Sequence, residues 1–157
     1  MDEQVAHIVG FDVHHPGATD DPCPRLFGRL WHQEAKMTVP TSREVLEGFL
    51  STLQAHGARR AFEQYAVEDY VQHNPKAGRG REGAIAYLEE EAAKGGRATV
   101  KRIISDGAMV ALHLHMEFTD GSPDLAIVDI WRVEEGKLAE HWDVAQEITK
   151  TSISEAF

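Results

Sequence analysis

Cysteine is all but missing from this chain: Cys23 is the only one in 157 residues. An internal disulfide and a cluster of thiolate metal ligands are therefore both excluded, because each needs a second sulfur. Cys23 stands in the Pro-flanked run Asp21-Pro22-Cys23-Pro24 with no histidine or other base beside it, the setting of an inert thiol rather than a nucleophile. Positive charge is also short, with 16 Lys and Arg against 26 Asp and Glu and a formal net charge of −10. Phosphate backbones and anionic bilayers attract clustered Lys and Arg, so neither nucleic acid nor a membrane surface is expected as a partner. No run approaches the roughly 18 apolar residues that a membrane span needs. The acidic start Met1-Asp2-Glu3 lacks the basic and apolar regions of a secretory signal, and a cytoplasmic location is expected. No internal repeat or low-complexity tract interrupts the chain.

What is present is ordinary for a folded domain: 42% hydrophobic and 27% charged residues, in a length that supports one sizeable core. The chain divides near Pro40. Residues 1–40 carry Pro16, Pro22, Pro24 and Pro40 with His14-His15 and Gly17 and show neither helical nor strand periodicity, so they read as an irregular extension. Its apolar patch Leu26-Phe27-Gly28-Arg29-Leu30-Trp31 is expected to lie across the domain or a partner subunit. Residues 41–157 form the domain. Thr41 and Glu44 make a capping box, after which Val45, Phe49, Leu50 and Leu53 recur at helical spacing until Gly57. A short second helix over Arg59–Ala66 and an extended piece, Asp69 to Pro75, follow. Gly78, Gly80 and Gly83 read as a turn, and Ala84–Lys94 as a third helix ended by Gly95-Gly96.

From Arg97 onward the pattern is that of strands. Ala98, Val100, Ile103 and Ile104 lead to an Asp106-Gly107 turn, and Met109–Phe118 runs as a second strand. A two-residue turn there would pair Val100 with His113. That strand sets Met109, Ala111, His113, His115 and Glu117 against Val110, Leu112, Leu114, Met116 and Phe118, and either face suits a cavity. The last hairpin, Leu125–Ile148, places Asp129, Trp131, His141 and Asp143 at odd positions, hence on one face. A three-residue Glu134-Glu135-Gly136 loop would set Asp129 opposite His141, with Asp143 beside them. Two carboxylates and an imidazole on one surface are the makings of an acid–base site. Helices first and then an antiparallel meander indicate the α+β class.

The run Tyr70-Val71-Gln72-His73-Asn74-Pro75, the Gly-rich turn before the third helix, Asp106-Gly107, and Val128 to Val144 with its His141-Trp142-Asp143 motif together resemble the SnoaL-like polyketide cyclases. That family belongs to the nuclear transport factor 2-like superfamily, which also includes ketosteroid isomerase. The resemblance covers about Thr41 to Ile148. It implies a cone in which N-terminal helices close a curved antiparallel sheet over an apolar pocket, and a homodimer formed through the outer sheet face. It implies cofactor-free general acid–base chemistry, aldol cyclisation or isomerisation, on a hydrophobic carbonyl compound. Asp143 falls at the position of the family's acid–base aspartate. Asp129 would share its proton or orient His141, while Tyr70, His73, Asn74, His113, His115 and Trp131 would line the substrate site.

Each residue also has a structural reading. Asp143 suits a buried salt bridge or loop cap, Asp129 an ion pair with Arg102 or Arg132, and His113 and His141 satisfied core positions. Asn74 before proline suits turn initiation, and Trp131 and Trp142 suit packing. Two further function classes follow. One is a non-catalytic module of the same fold that binds a small ligand or a protein. The other is a metal site from His73, His113, His115 and His141, which no ligand spacing supports.

Overall fold

The computed structural model describes residues 39–149 and 153–157, so the expected extension and its apolar patch lie outside the described residues. Helix α1, Ser42–Tyr65, opens on the capping box read from the sequence: the Thr41 side chain accepts from the Glu44 backbone N–H, and Glu44 returns to the Thr41 N–H at 2.8 Å. Gly57 sits inside it at φ 83°, ψ 173°, a conformation that breaks the helical ladder, so α1 is two helical pieces joined at a kink as the glycine signalled. The chain then runs through β1 (Ala66–Gln72), α2 (Gly80–Ala93), β2 (Gly96–Asp106), β3 (Met109–Phe118), β4 (Asp124–Glu134), β5 (Lys137–Ile148) and a last turn of helix, α3 (Ile153–Ala156). Helix α2 begins earlier than the glycines suggested, and Gly83 lies within its first turn.

The five strands form one sheet in the order β1-β5-β4-β3-β2. Strands β2 to β5 are the antiparallel meander expected from the hairpin signals. The extended piece after α1 joins them as a fifth strand, parallel to β5, so the sheet is mixed. A parallel neighbour requires a long crossover, here α2 and the whole meander, and no local signal announces it.

The helices α1 and α2 cover one face. Val45, Leu46 and Phe49 from α1, Ala58, Ala61 and Phe62 beyond the kink, and Ile85 from α2 are buried against Val110, Leu112, Leu114, Trp131, Val133 and Leu138 of the sheet. Phe62 meets Phe49 and Tyr70 edge-on, with ring centroids 5.1 and 5.3 Å apart, the arrangement that aromatic quadrupoles favour. This settles which side of β3 looks inward: the even residues do. His113 and His115, expected at the cavity, therefore lie on the outer face.

Two turns correct the expected register. In the last hairpin Glu134 pairs with Lys137 across a two-residue Glu135-Gly136 turn, both residues at positive φ of 49° and 77°, as a primed turn requires. A bulge follows, Arg132 pairing with Glu140 but Val133 with Leu138, which leaves Ala139 extra. Turn and bulge together slide β5 by two residues from the expected pairing. Asp129 therefore faces Asp143 directly, and His141 faces Trp131. Since two residues is one full strand period, the whole set keeps its face. In the first hairpin Asp106 pairs with Met109, and a bulge between Val100 and Arg102 puts Leu114 opposite Val100 and His113 opposite Arg102.

Candidate functional site

The inner face of the β4–β5 hairpin, with the end of β1 beside it, gathers the ionisable groups. Strand alternation sends Asp129 and Trp131 inward from β4 and His141 and Asp143 inward from β5; β1, paired with β5 through Gln72 and His141, sends in Tyr70 and Gln72. His141 is buried, at 7% exposure. Its Nδ1 lies 2.9 Å from Gln72 Oε1 and its Nε2 3.0 Å from Asp129 Oδ1. The Trp131 ring lies against it with centroids 4.8 Å apart, and Trp131 packs in turn on Phe49 of α1.

Asp143 has a different environment. Its Oδ2 accepts the Asn74 Nδ2–H at 2.6 Å. Asn74 is held in that orientation because its Oδ1 accepts the Lys76 backbone N–H at 2.7 Å, leaving only the NH₂ group for the carboxylate. Turn initiation and contact with Asp143 are thus two jobs of one side chain. Among the described residues no Lys or Arg lies within ion-pair distance of Asp143, so the salt-bridge reading does not describe it. Burial pushes the Asp143 carboxyl above the ordinary carboxylate range, the negative charge of Asp129 pushes it further, and His141, the Asn74 hydrogen bond and Lys76 oppose them. Tyr70, 3% exposed, is raised by burial above all, with Asp129 and Asp143 adding to it. Tyr87, from α2, faces Asn74; burial raises it first, then Glu91, with a further contribution from Asp143.

Of the residues expected from sequence, Asp143, Asp129, His141, Tyr70, Asn74 and Trp131 come together. His73, His113 and His115 do not. His73 follows Gln72 and so points to the outer face, where it stacks on Trp142 at 5.0 Å and bonds Glu140 at 2.8 Å. Glu140 also takes Arg132 Nε at 3.0 Å, and these two partners, His73 first, hold its carboxyl below the usual range. Arg132 is thus engaged away from Asp129, and Arg102 stands opposite His113 on the outer face. His113 and His115 lie under the Phe157 ring at 5.0 and 5.1 Å, and His115 bonds Asp124 at 3.1 Å. Burial lowers the His113 pKa first, followed by Arg102 and Lys101. His113 also lines an open groove of about 380 Å³ with Ala126, Val128, Val144 and Gln146, on the side away from Asp143. The four imidazoles weighed as metal ligands are split by the sheet, and among the described residues no three His, Cys, Asp or Glu are grouped to hold a metal.

Two members of the cluster were not anticipated. Gln72 stands two residues from Tyr70 and shares its face, a parity that the motif already displayed. Tyr87 lies three residues beyond buried Ala84 on α2, a helical offset that marks the covered side but not what it covers.

Residues 46–141 match the SnoaL-like domain, a span that runs from α1 into β5 and ends at His141. The chain belongs to the SnoaL-like domain family. No curated protein matches it in sequence. Among solved structures, this SnoaL-like domain is similar to IdmH, a candidate polyketide cyclase from Streptomyces antibioticus, at 21% identity and a TM-score of 0.56 over 67% of this chain and 91% of that one. It is similar to a candidate ketosteroid isomerase from Kribbella flavida at 20% identity and a TM-score of 0.57, covering 69% and 80%. An NTF2-like protein of unknown function from Cytophaga hutchinsonii matches at 16% identity and a TM-score of 0.54, covering 70% and 94%. At these identities the likeness establishes the shared α+β cone. Among the described residues no helix is long and apolar enough to cross a membrane.

Proposed function

We propose that this SnoaL-like domain is a small-molecule cyclase or isomerase that acts on a hydrophobic carbonyl compound by proton transfer, with Asp143 as the general acid–base. The observation that carries the reading is the state of Asp143: a half-buried carboxylate whose pKa burial raises, oriented by the Asn74 amide and, among the described residues, with no Lys or Arg within ion-pair distance. Such a group suits a base for a carbon acid, because its affinity for a proton is tuned toward the working pH and its free oxygen is not committed to a partner. In the aldol version, Asp143 takes a proton from the carbon next to a carbonyl. The resulting enolate carbon forms a bond to a second carbonyl of the same molecule, and the new alkoxide recovers the proton from Asp143. In the isomerase version the proton returns to a different carbon of the same enolate. Both balance without a redox step. The Tyr87 hydroxyl and the Asn74 amide, flanking Asp143, are the donors we assign to the substrate oxygen. A homodimer joined through the outer sheet face, where Val144 is 71% exposed, belongs to the same reading.

The test is a panel of β-dicarbonyl and anthraquinone-type compounds presented to the wild type and to Asp143→Asn, with binding read by thermal stabilisation and proton abstraction by solvent deuterium uptake. The wild type is expected to exchange the acidic carbon proton and the variant to lose about 10²–10⁴-fold of that rate while still binding, the range typical of a positioned base. Equal exchange in both proteins removes Asp143 from the chemistry. Binding with no exchange by either identifies the non-catalytic module.

A further inference from the structure

Gln72 accepts two hydrogen bonds at one oxygen. The Asn74 backbone N–H donates to Gln72 Oε1 at 2.9 Å, and the same oxygen lies 2.9 Å from His141 Nδ1. A backbone N–H can only donate, so the atom facing it is the amide oxygen, and this fixes the orientation of the Gln72 amide. An amide oxygen accepts and never donates. His141 Nδ1 therefore carries a proton. The other ring nitrogen, Nε2, lies 3.0 Å from Asp129 Oδ1. Two bare lone pairs do not sit at that distance, so a proton lies between them as well.

We infer that Gln72 is a positioning residue: it holds His141 in the Nδ1–H form and thereby places a second, shared proton on the Nε2···Oδ1 line to Asp129. His141 then has no bare nitrogen with which to act as a base. The charge of Asp129 is matched within the pair, and Asp143 is left as the one carboxylate free to accept a proton. Trp131 supports the arrangement, because its ring lies against the imidazole where a positive ring is favoured. The other titratable groups about the pair are Asp143 on β5, Tyr70 on β1, Tyr87 on α2 and Lys76 in the loop after β1. Helix α1 contributes Phe49 against Trp131, an apolar contact. Without Gln72 the order of preference reverses: a neutral ring keeps its single proton on Nε2 for Asp129 and leaves Nδ1 bare. The inference rests on the proposed function only for what the pair does for Asp143; the tautomer itself needs no substrate.

The experiment is ¹⁵N-labelled full chain, with the two His141 ring nitrogens followed by long-range ¹H–¹⁵N correlation through the neutral pH range. In the wild type Nδ1 is expected to stay protonated throughout. In Gln72→Leu the protonated signal is expected to move to Nε2 alone, and Gln72→Glu, which keeps an acceptor oxygen, is expected to restore it to Nδ1. A wild-type ring with bare Nδ1, or a Gln72→Leu ring still protonated there, overturns the inference. Should Gln72→Leu not fold, Asp129→Asn serves: the amide that replaces the carboxylate can donate to Nε2, so Nδ1–H with a bare Nε2 is expected. Nε2–H alone in that variant overturns the inference equally. If Asp143→Asn leaves substrate exchange untouched while the ring signals follow this pattern, the proposed function fails and the positioning role stands; the opposite combination fails the positioning role alone.

Discussion

Asn74→Asp tests the geometry around Asp143 without any substrate. The replacement has the same shape and keeps the Oδ1 atom that accepts the Lys76 N–H, so the turn survives. What changes is the group 2.6 Å from Asp143 Oδ2, where a donor becomes a second carboxylate. Coulomb's law at an effective dielectric of 20 gives about 6 kcal/mol of repulsion at that distance if both are ionised. Asp143 is only half-buried, and solvent screening reduces this to about 3 kcal/mol. The pair avoids that energy by keeping one proton between its oxygens to a pH above that at which an unfolded aspartate releases its own, about pH 4. From there until the pair gives that proton up, the folded variant binds one more proton than the unfolded chain, so its stability falls as pH rises by up to about 1.4 kcal/mol per pH unit, and it falls relative to the wild type once the wild-type Asp143 has ionised. Below the window the variant is close to the wild type, and above it the full difference is lost. Urea unfolding at a series of pH values measures this directly. A stability difference that is flat across the window would mean that the Asn74 amide does not face Asp143, and the reasoning about the site would fall with it.

Three other outcomes are expected. Asp143→Asn removes a carboxyl whose folded pKa is raised, a group whose ionised form costs the folded state stability as pH rises through that pKa; the variant should therefore gain on the wild type between acid and neutral pH, and a thermal-melt difference independent of pH contradicts the shift. Gly83→Ala would place a Cβ 2.0 Å from the Gly78 carbonyl carbon and 2.2 Å from its oxygen, backbone atoms that no rotamer change can move away, so a loss of about 1–3 kcal/mol is expected together with a displaced Asn74 side-chain resonance. An unshifted melting temperature would show that the turn after β1 yields freely. Light scattering is expected to give a dimer mass, and a monomer mass rules out the outer-face assembly.

Much of the fold was legible because its signals are local. The capping box at Thr41, the kink at Gly57, the glycine turns and the alternation along β3 to β5 each report on residues a few positions apart, where backbone sterics and side-chain period decide the outcome. Parity alone put Asp129, Trp131, His141 and Asp143 on one surface, and the two-residue slip of the last hairpin could not change that. The bulge at Ala139 was not legible, since it arises from how two strands fit each other, and together with the two-residue turn it is the reason Asp129 meets Asp143 rather than His141.

By itself, then, the order of residues determined the α+β class, the helical and strand segments and the family motif, all consequences of short-range periodicity. The tertiary structure alone decided three things: that β1 lies parallel to β5, that the even side of β3 faces the helices, and that the sheet separates His73, His113 and His115 from His141. It also brought Gln72 to His141 and Tyr87 to Asn74 beside Asp143. These are contacts between segments far apart in the chain, fixed by which apolar faces could be buried together, and a single strand's pattern carries no mark of the partner it will meet.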